Sequence, residues 1–187
     1  MNKETKIKVA GFGGQGVMMF GQMLAYSATH DELNSLWFPS YGPETRGGTA
    51  NCSVIVSKET INSPVFKNAT HLVAFNLPSL EKFKNQIEPG GLLLYNSSLV
   101  NQEVKVNNVL CMGIPINDIA LELGMQQVAN MVMLGSYLEL SKLFDDQTIH
   151  QIIKKFMGER KAHMVDINIK ALQAGRDFIR KTGVNYA

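Results

Sequence analysis

Apolar and polar positions change period repeatedly along the chain, and the changes predict alternating strands and helices. Lys6–Ala10 predicts a first strand that runs into a glycine turn, and Val17–Thr29 a helix that can bury Met18, Phe20, Leu24 and Ala28. Leu36–Phe38 is a short second strand, expected to stop at Pro39. In Thr49–Ser57 the residues Ala50, Cys52, Val54 and Val56 share one face and Thr49, Asn51, Ser53 and Ser57 the other, as in a half-buried strand. His71–Phe75 predicts a further strand, followed by a helix from Pro78-Ser79 to Gln86. After a turn at Pro89-Gly90-Gly91, Leu92–Tyr95 is apolar throughout, the pattern of a strand covered on both faces. Val109–Gly113 is the last strand. Beyond it the pattern is helical, over Ile116–Leu123, Gln127–Leu140, Thr148–Met157 and Asp166–Lys181. This order implies an α/β fold of three layers, with a mostly parallel sheet and a helical C-terminal part.

Composition narrows the classes. Apolar residues make up 45% and charged residues 18% of 187, so the chain can bury a core and is not disordered. With 18 basic and 16 acidic residues the formal charge is +2, which predicts neither a nucleic-acid nor a membrane partner. Two cysteines, Cys52 and Cys111, cannot ligate an iron–sulfur cluster, and the four histidines show no metal-ligand spacing. Met1–Lys6 runs into Ile7–Gly11 without the apolar segment of a signal peptide, so a cytoplasmic location is expected. Two stretches, Val9–Thr29 and Leu123–Leu138, carry no charge. Glycines and glutamines in the first argue against a membrane span. Both stretches are expected to be covered, with subunit contacts favoured over core burial.

Gly11-Phe-Gly13-Gly14-Gln15-Gly16 fits G-x-G-x-x-G between a strand and a helix. Glycines permit the tight turn and close ligand approach, and helix-start amides favour an anion such as phosphate. The pattern is Rossmann-like, but the second strand closes Phe38-Pro-Ser-Tyr41 without the carboxylate that would hold the ribose of NAD. A stand-alone nucleotide-binding or sensor domain and an empty structural turn remain open at this point. Tyr41-Gly-Pro-Glu44-Thr45-Arg46-Gly47-Gly48 follows that strand, and Arg46 can fork onto a phosphate or carboxylate. There is no catalytic serine elbow, no Gly-Lys-Ser/Thr phosphate loop and no zinc helix, so no catalytic and no metal-ligating residue is assigned. His71 and Cys52 read as structural residues.

Three blocks in order resemble one family: Gly11–Gly16, Ser40-Tyr-Gly-Pro-Glu-Thr-Arg-Gly-Gly-Thr-Ala-Asn-Cys52, and Ala129-Asn-Met-Val-Met-Leu-Gly135. Together they are similar to the gamma subunit of 2-oxoacid:ferredoxin oxidoreductases, and Tyr41–Asn51 looks most like the 2-oxoglutarate and 2-oxoisovalerate members. The resemblance implies a single gamma-type domain over 1–187. It also implies a role in oxidative decarboxylation of a 2-oxoacid, 2-oxoglutarate favoured, to an acyl-CoA with reduction of ferredoxin. Thiamine diphosphate, magnesium and iron–sulfur clusters would lie on alpha, beta and ferredoxin-like subunits. Coenzyme A would meet this chain at Gly11, Gly13, Gly14, Gln15, Gly16, Tyr41, Glu44, Thr45, Arg46, Gly47 and Gly48. The amides of Gly13, Gly14, Gln15 and Gly16 would face its pyrophosphate, with Thr45 and Arg46 assisting.

Overall fold

The computed structural model describes residues 4–41 and 49–186. Six strands form one sheet in the order β2-β3-β1-β4-β5-β6. They are β1 (Thr5–Phe12), β2 (Asn34–Tyr41), β3 (Thr49–Ser57), β4 (Ala69–Ala74), β5 (Ile87–Asn96) and β6 (Val109–Ile114). β1, β4, β5 and β6 are parallel, while β3 runs antiparallel to β1 and to β2. Helices α1 (Val17–His30), α3 (Ile116–Glu122), α4 (Ala129–Ser141), α5 (Asp146–Met157) and α6 (Val165–Thr182) build the core on one face. The other face is covered by α2 (Leu77–Phe83), with Val100 and Val104 packed beside it. The three α/β layers expected from the sequence are present.

Four local expectations change. Pro39 does not stop β2, because β2 is an edge strand, where a missing N–H is tolerated. Pro89-Gly90-Gly91 is not a free turn but lies inside β5, where the pairing with β4 shifts register between Ala69 and His71. β3 is covered on both faces rather than one. Lys8 bridges its polar side, with Nζ 2.7 Å from Ser53 Oγ and 3.4 Å from Asn51 Oδ1, beneath the Phe66 ring. Finally, most of the uncharged run Leu123–Leu138 is covered by this chain itself: every residue of α4 from Asn130 to Leu140 is buried, while Gly124, Gln126 and Gln127 ahead of the helix are exposed. Its neutrality is that of a central core helix, and subunit contacts are not needed to explain it. The stretch Val9–Thr29 is likewise open in part, with Gly13, Gly14 and Tyr26 exposed.

Helix ends follow local chemistry. Asn76 caps α2 by accepting from Ser79 N–H at 2.9 Å, and Asp145 caps α5 by accepting from Thr148 N–H at 2.8 Å. Gly135 of α4 lies against the Leu172 carbonyl of α6, and Gly175 of α6 against the Val132 carbonyl of α4, so closely that no side chain fits between, and Ser136 Oγ donates to Gly175 O at 3.0 Å. Glu139, nearly buried at the end of α4, is answered by Lys142, Arg176 and Arg180.

His71 and Cys52 are structural groups. Burial pushes the Cys52 thiol up to about 12, so it is not a nucleophile. His71, in β4, lies with Nδ1 2.8 Å from the Tyr137 hydroxyl and edge-on to Tyr137 and Tyr186, and desolvation lowers its pKa to about 4. Above pH 6.5 the imidazole is neutral in both folded and unfolded chains. Between pH 6.5 and about 4 only the unfolded chain takes up the proton, so stability falls as pH falls. At about 1.4 kcal/mol per pKa unit the loss approaches ~3 kcal/mol by pH 4. The urea midpoint should therefore drop more steeply over this window in the native sequence than in His71→Gln. Parallel pH profiles would contradict the assignment.

Candidate functional site

The chain leaves β1 through α1 towards β2 on one side of the sheet, and leaves β4 through α2 towards β5 on the other. The carboxyl ends of β1 and β4 therefore flank a topological switch point, the place where open α/β sheets bind ligands. The glycine turn sits there. Gly14 and Gly16 have φ of +92° and +80°, and a side chain on Gly13 or Gly14 would meet no atom within 4 Å. Phe20 N–H, bonded to Gly16 O at 2.9 Å, is the first amide of α1 to find an acceptor, and Gly16 offers no side-chain cap. Among the described residues the first amides of α1 thus find no acceptor, and the turn that leads into them is open at Gly13 and Gly14.

Not every residue of the motif belongs to that row. Gln15 turns inward: its Oε1 accepts from Phe12 N–H at 2.7 Å and from Asn76 Nδ2 at 2.9 Å, and its Nε2 reaches Phe75 O. Its own N–H is spent on Phe12 O. Gln15 braces the turn against β4, and the expectation that its amide faces a ligand is corrected. Gly11 lies beneath that brace, where a Cβ would press on Gln15, Val17 and Phe75 within 2.9 Å. Gly16 is closed off by Asn130. Gly13 and Gly14 are the members open to a ligand.

A cleft of about 320 Å³ opens beside them, between Gly14, Gln15 and Phe75 on one side and Asn117, Gln127 and Asn130 on the other. Carboxamides dominate this edge. Asn96 Nδ2 donates to Phe75 O at 3.2 Å and to Asn117 Oδ1 at 3.0 Å, continuing the chain of bonds through Asn76 and Gln15. Sequence reading missed these residues. A signal was available, because Asn76, Asn96 and Asn117 each stand at or just past the end of a successive parallel strand. Among the described residues no group of three His, Cys, Asp or Glu side chains could hold a metal ion, and no helix is long and apolar enough to cross a membrane.

Tyr41 ends β2 on the same edge, 71% exposed and paired with Ala50, which in turn pairs with Gly11. It stands two strand spacings, about 10 Å, from the glycine turn. Glu44, Thr45, Arg46, Gly47 and Gly48 lie outside the described residues, although Tyr41 and Thr49, which bracket them, both sit at this edge. The topology also weakens the NAD alternative. β2 carries no carboxylate, and β3 separates it from β1.

Comparison with known proteins agrees with this architecture. The family model described as pyruvate ferredoxin/flavodoxin oxidoreductase matches residues 6–178. The chain is 39% identical over 179 residues to the ketoisovalerate oxidoreductase subunit VorA of Methanothermobacter marburgensis, covering 96% of this chain but 37% of that one. The chain thus spans little more than a third of the length of that relative. It is 33% identical to the 2-oxoglutarate synthase subunit KorC of the same organism, covering 96% of this chain and 97% of the relative. Among solved structures, the gamma subunit of a keto/oxoacid ferredoxin oxidoreductase from Geobacter sulfurreducens superposes with a TM-score of 0.80 at 27% identity, covering 95% of this chain and 99% of that one. A 2-oxoglutarate:ferredoxin oxidoreductase from Magnetococcus marinus, solved with 2-oxoglutarate, coenzyme A and succinyl-CoA bound, shares the fold with a TM-score of 0.88 at 24% identity, covering all of this chain and 32% of that one. With the family model matched over most of its length and a relative of equal size above 30% identity, the chain belongs to the pyruvate ferredoxin/flavodoxin oxidoreductase family.

Proposed function

We propose that residues 1–187 fold as one gamma-type domain, serve as the gamma subunit of a 2-oxoacid:ferredoxin oxidoreductase, and hold coenzyme A at the carboxyl edge of the sheet. The assembled complex would convert a 2-oxoacid and coenzyme A to an acyl-CoA and carbon dioxide and pass the electrons to ferredoxin. Thiamine diphosphate, magnesium and iron–sulfur clusters would reside on alpha, beta and ferredoxin-like subunits.

The observation that carries the reading is that the first amides of α1 have no acceptor among the described residues and that the turn before them is open at Gly13 and Gly14, at the switch point. Such amides suit a phosphate, and coenzyme A brings a pyrophosphate and a 3′-phosphate. This chain's part is to bind and orient, with Gln15 and Asn76 stiffening the turn and Arg46 supplying the cation that the described residues around the cleft lack. The sequence expectation of 2-oxoglutarate is widened to 2-oxoisovalerate and 2-oxoglutarate. Identity falls from 39% with the ketoisovalerate relative through 33% with the 2-oxoglutarate relative to 24% with a pyruvate synthase subunit.

Two measurements test the proposal. Purification of the chain with its partners from the native host should yield a complex that reduces ferredoxin with a branched 2-oxoacid or 2-oxoglutarate and coenzyme A, and a solitary chain would refute it. In that complex, Arg46→Ala removes a charged hydrogen bond of roughly 1.5–3 kcal/mol, so the KM for coenzyme A should rise at least about tenfold. Unchanged kinetics would remove Arg46 from the site.

A further inference from the structure

His30 is the last residue of α1, and both nitrogens of its ring meet an oxygen. Nδ1 lies 3.1 Å from Asp31 Oδ1, just past the end of its own helix, and Nε2 lies 2.8 Å from Gln151 Oε1 on α5. A neutral imidazole has one N–H to give and a charged one has two, so this pair of acceptors is satisfied only by the imidazolium. The place also suits a cation. The free carbonyls at the end of α1 favour positive charge. Among the described residues the charged groups acting on the ring are two carboxylates, Asp31 beside it and Asp145 at the head of α5. Asp146, next to Asp145, is engaged by Arg176 at 2.8 Å. The hydrogen bond to Asp31 first, and the one to Gln151 second, hold the His30 pKa above its ordinary 6.5.

The contact is one part of a longer seam between the two helices. Asp31 Oδ1 also accepts from Thr148 Oγ1 at 2.7 Å, so this carboxylate is shared between the ring and the first turn of α5. One turn back along α1, Tyr26 lies edge-on to Phe156 with ring centroids 5.3 Å apart, and Lys155 Nζ stands over the Tyr26 ring at 5.5 Å. Gln22, Tyr26, Lys155 and Phe156 line an open cup of about 240 Å³. Tyr26 and His30 are four residues apart on α1, and so are Gln151 and Lys155 on α5. The ring and the cup therefore occupy the same two helix faces. The His30 side chain is 41% exposed and open to protons from water.

We propose that His30 is a proton-operated clasp between α1 and α5. As the imidazolium it ties the end of α1 to Gln151. When it gives one proton to water, the Asp31 carboxylate, the stronger acceptor, keeps the remaining N–H and Gln151 is released. The seam along Thr148–Phe156 then loosens, and with it the cup at Tyr26. A group whose folded pKa is raised adds stability that is complete below 6.5 and is lost as pH rises through the folded value. The clasp is therefore closed in mildly acid solution and open in mildly alkaline solution.

The test uses the full chain. An NMR titration of its four histidine rings, with His30 identified by its absence from His30→Gln, should place the His30 pKa above 6.5. Asp31→Asn, which removes the charge of the first acceptor, should lower it. Amide hydrogen exchange over Ile149–Phe156, corrected for its intrinsic rise with pH and referred to α4, should accelerate at least about twofold from about pH 6 to about pH 8.5. In His30→Gln, which is neutral at every pH and whose melting temperature verifies the fold, the corrected rates should stay level. His150 and His163 are present in both chains, so their contributions cancel in the comparison. A His30 ring that titrates at or below 6.5, or α5 exchange that follows the same pH profile in both chains, would overturn the clasp.

Discussion

Gly135→Ala is expected to cost the fold about 3 kcal/mol or more, at the upper end for added bulk in a packed interior. A methyl on Gly135 would sit on the carbonyl oxygen of Leu172 in α6, and one on Gly175 would sit on the carbonyl oxygen of Val132 in α4. The two positions are reciprocal, so neither helix can shift to relieve one without opposing the other. The obstruction is backbone, which cannot rotate away as a side chain would. Separating the helices would also stretch the Ser136 Oγ to Gly175 O bond and open the sealed core around Met131, Leu134, Leu138 and Leu172. Alanine's better helix propensity, worth up to about 1 kcal/mol over glycine, cannot offset this. At about 2–4 °C per kcal/mol for a chain of this size, the melting temperature should fall by about 6–12 °C. A urea midpoint equal to that of the native sequence would show that the helices do not meet at these glycines.

Much of the scaffold was legible because it rests on local chemistry. The apolar run Leu92–Tyr95 and the strand–glycine–helix passage from Lys6 to Thr29 define elements that no other conformation buries as well. What escaped depends on neighbours distant in sequence. A proline would terminate an interior strand, and only the placement of β2 at the sheet edge lets the strand continue past Pro39 to Tyr41. Asn51 and Ser53 look solvent-facing until Lys8, more than forty residues earlier, is laid across them. The neutral α4 gave the same signal for a core helix as for an interface, and the approach of Gly135 to Leu172 and of Gly175 to Val132 that decides between them joins residues far apart in sequence. At the candidate site the glycines were evident from the motif. The inward turn of Gln15 was not, because its acceptors and donors, Phe12, Phe75 and Asn76, are gathered only when β4 docks beside β1.

Gly13→Glu is expected to raise the KM for coenzyme A about 100-fold in the assembled complex while leaving the fold intact. Gly13 has no positive φ, and a Cβ built on it meets nothing within 4 Å, so the substitution strains no backbone and displaces no neighbour. Its stability cost should stay within about 0.5 kcal/mol, as for other substitutions away from packed features. Gly14 is the poorer choice, because its φ of +92° would add about 1–3 kcal/mol of strain and confuse a ligand effect with a folding one. A carboxylate at position 13 reaches the unsatisfied amides of α1 and occupies them, as an anion at a helix start does. It also stands beside the place proposed for the pyrophosphate, where no charged residue among the described ones lines the cleft to neutralise it. A 100-fold change corresponds to about 2.8 kcal/mol at 1.4 kcal/mol per tenfold. Because the repulsion is between charges partly open to water, it should shrink as salt is raised, whereas a steric block would not. Gly13→Ala, with bulk but no charge, should leave the KM within about threefold. A native KM for Gly13→Glu at low salt would mean that the amides of this turn never meet the coenzyme, and the empty space above Gly13 and Gly14 would then have to be filled by a partner subunit instead.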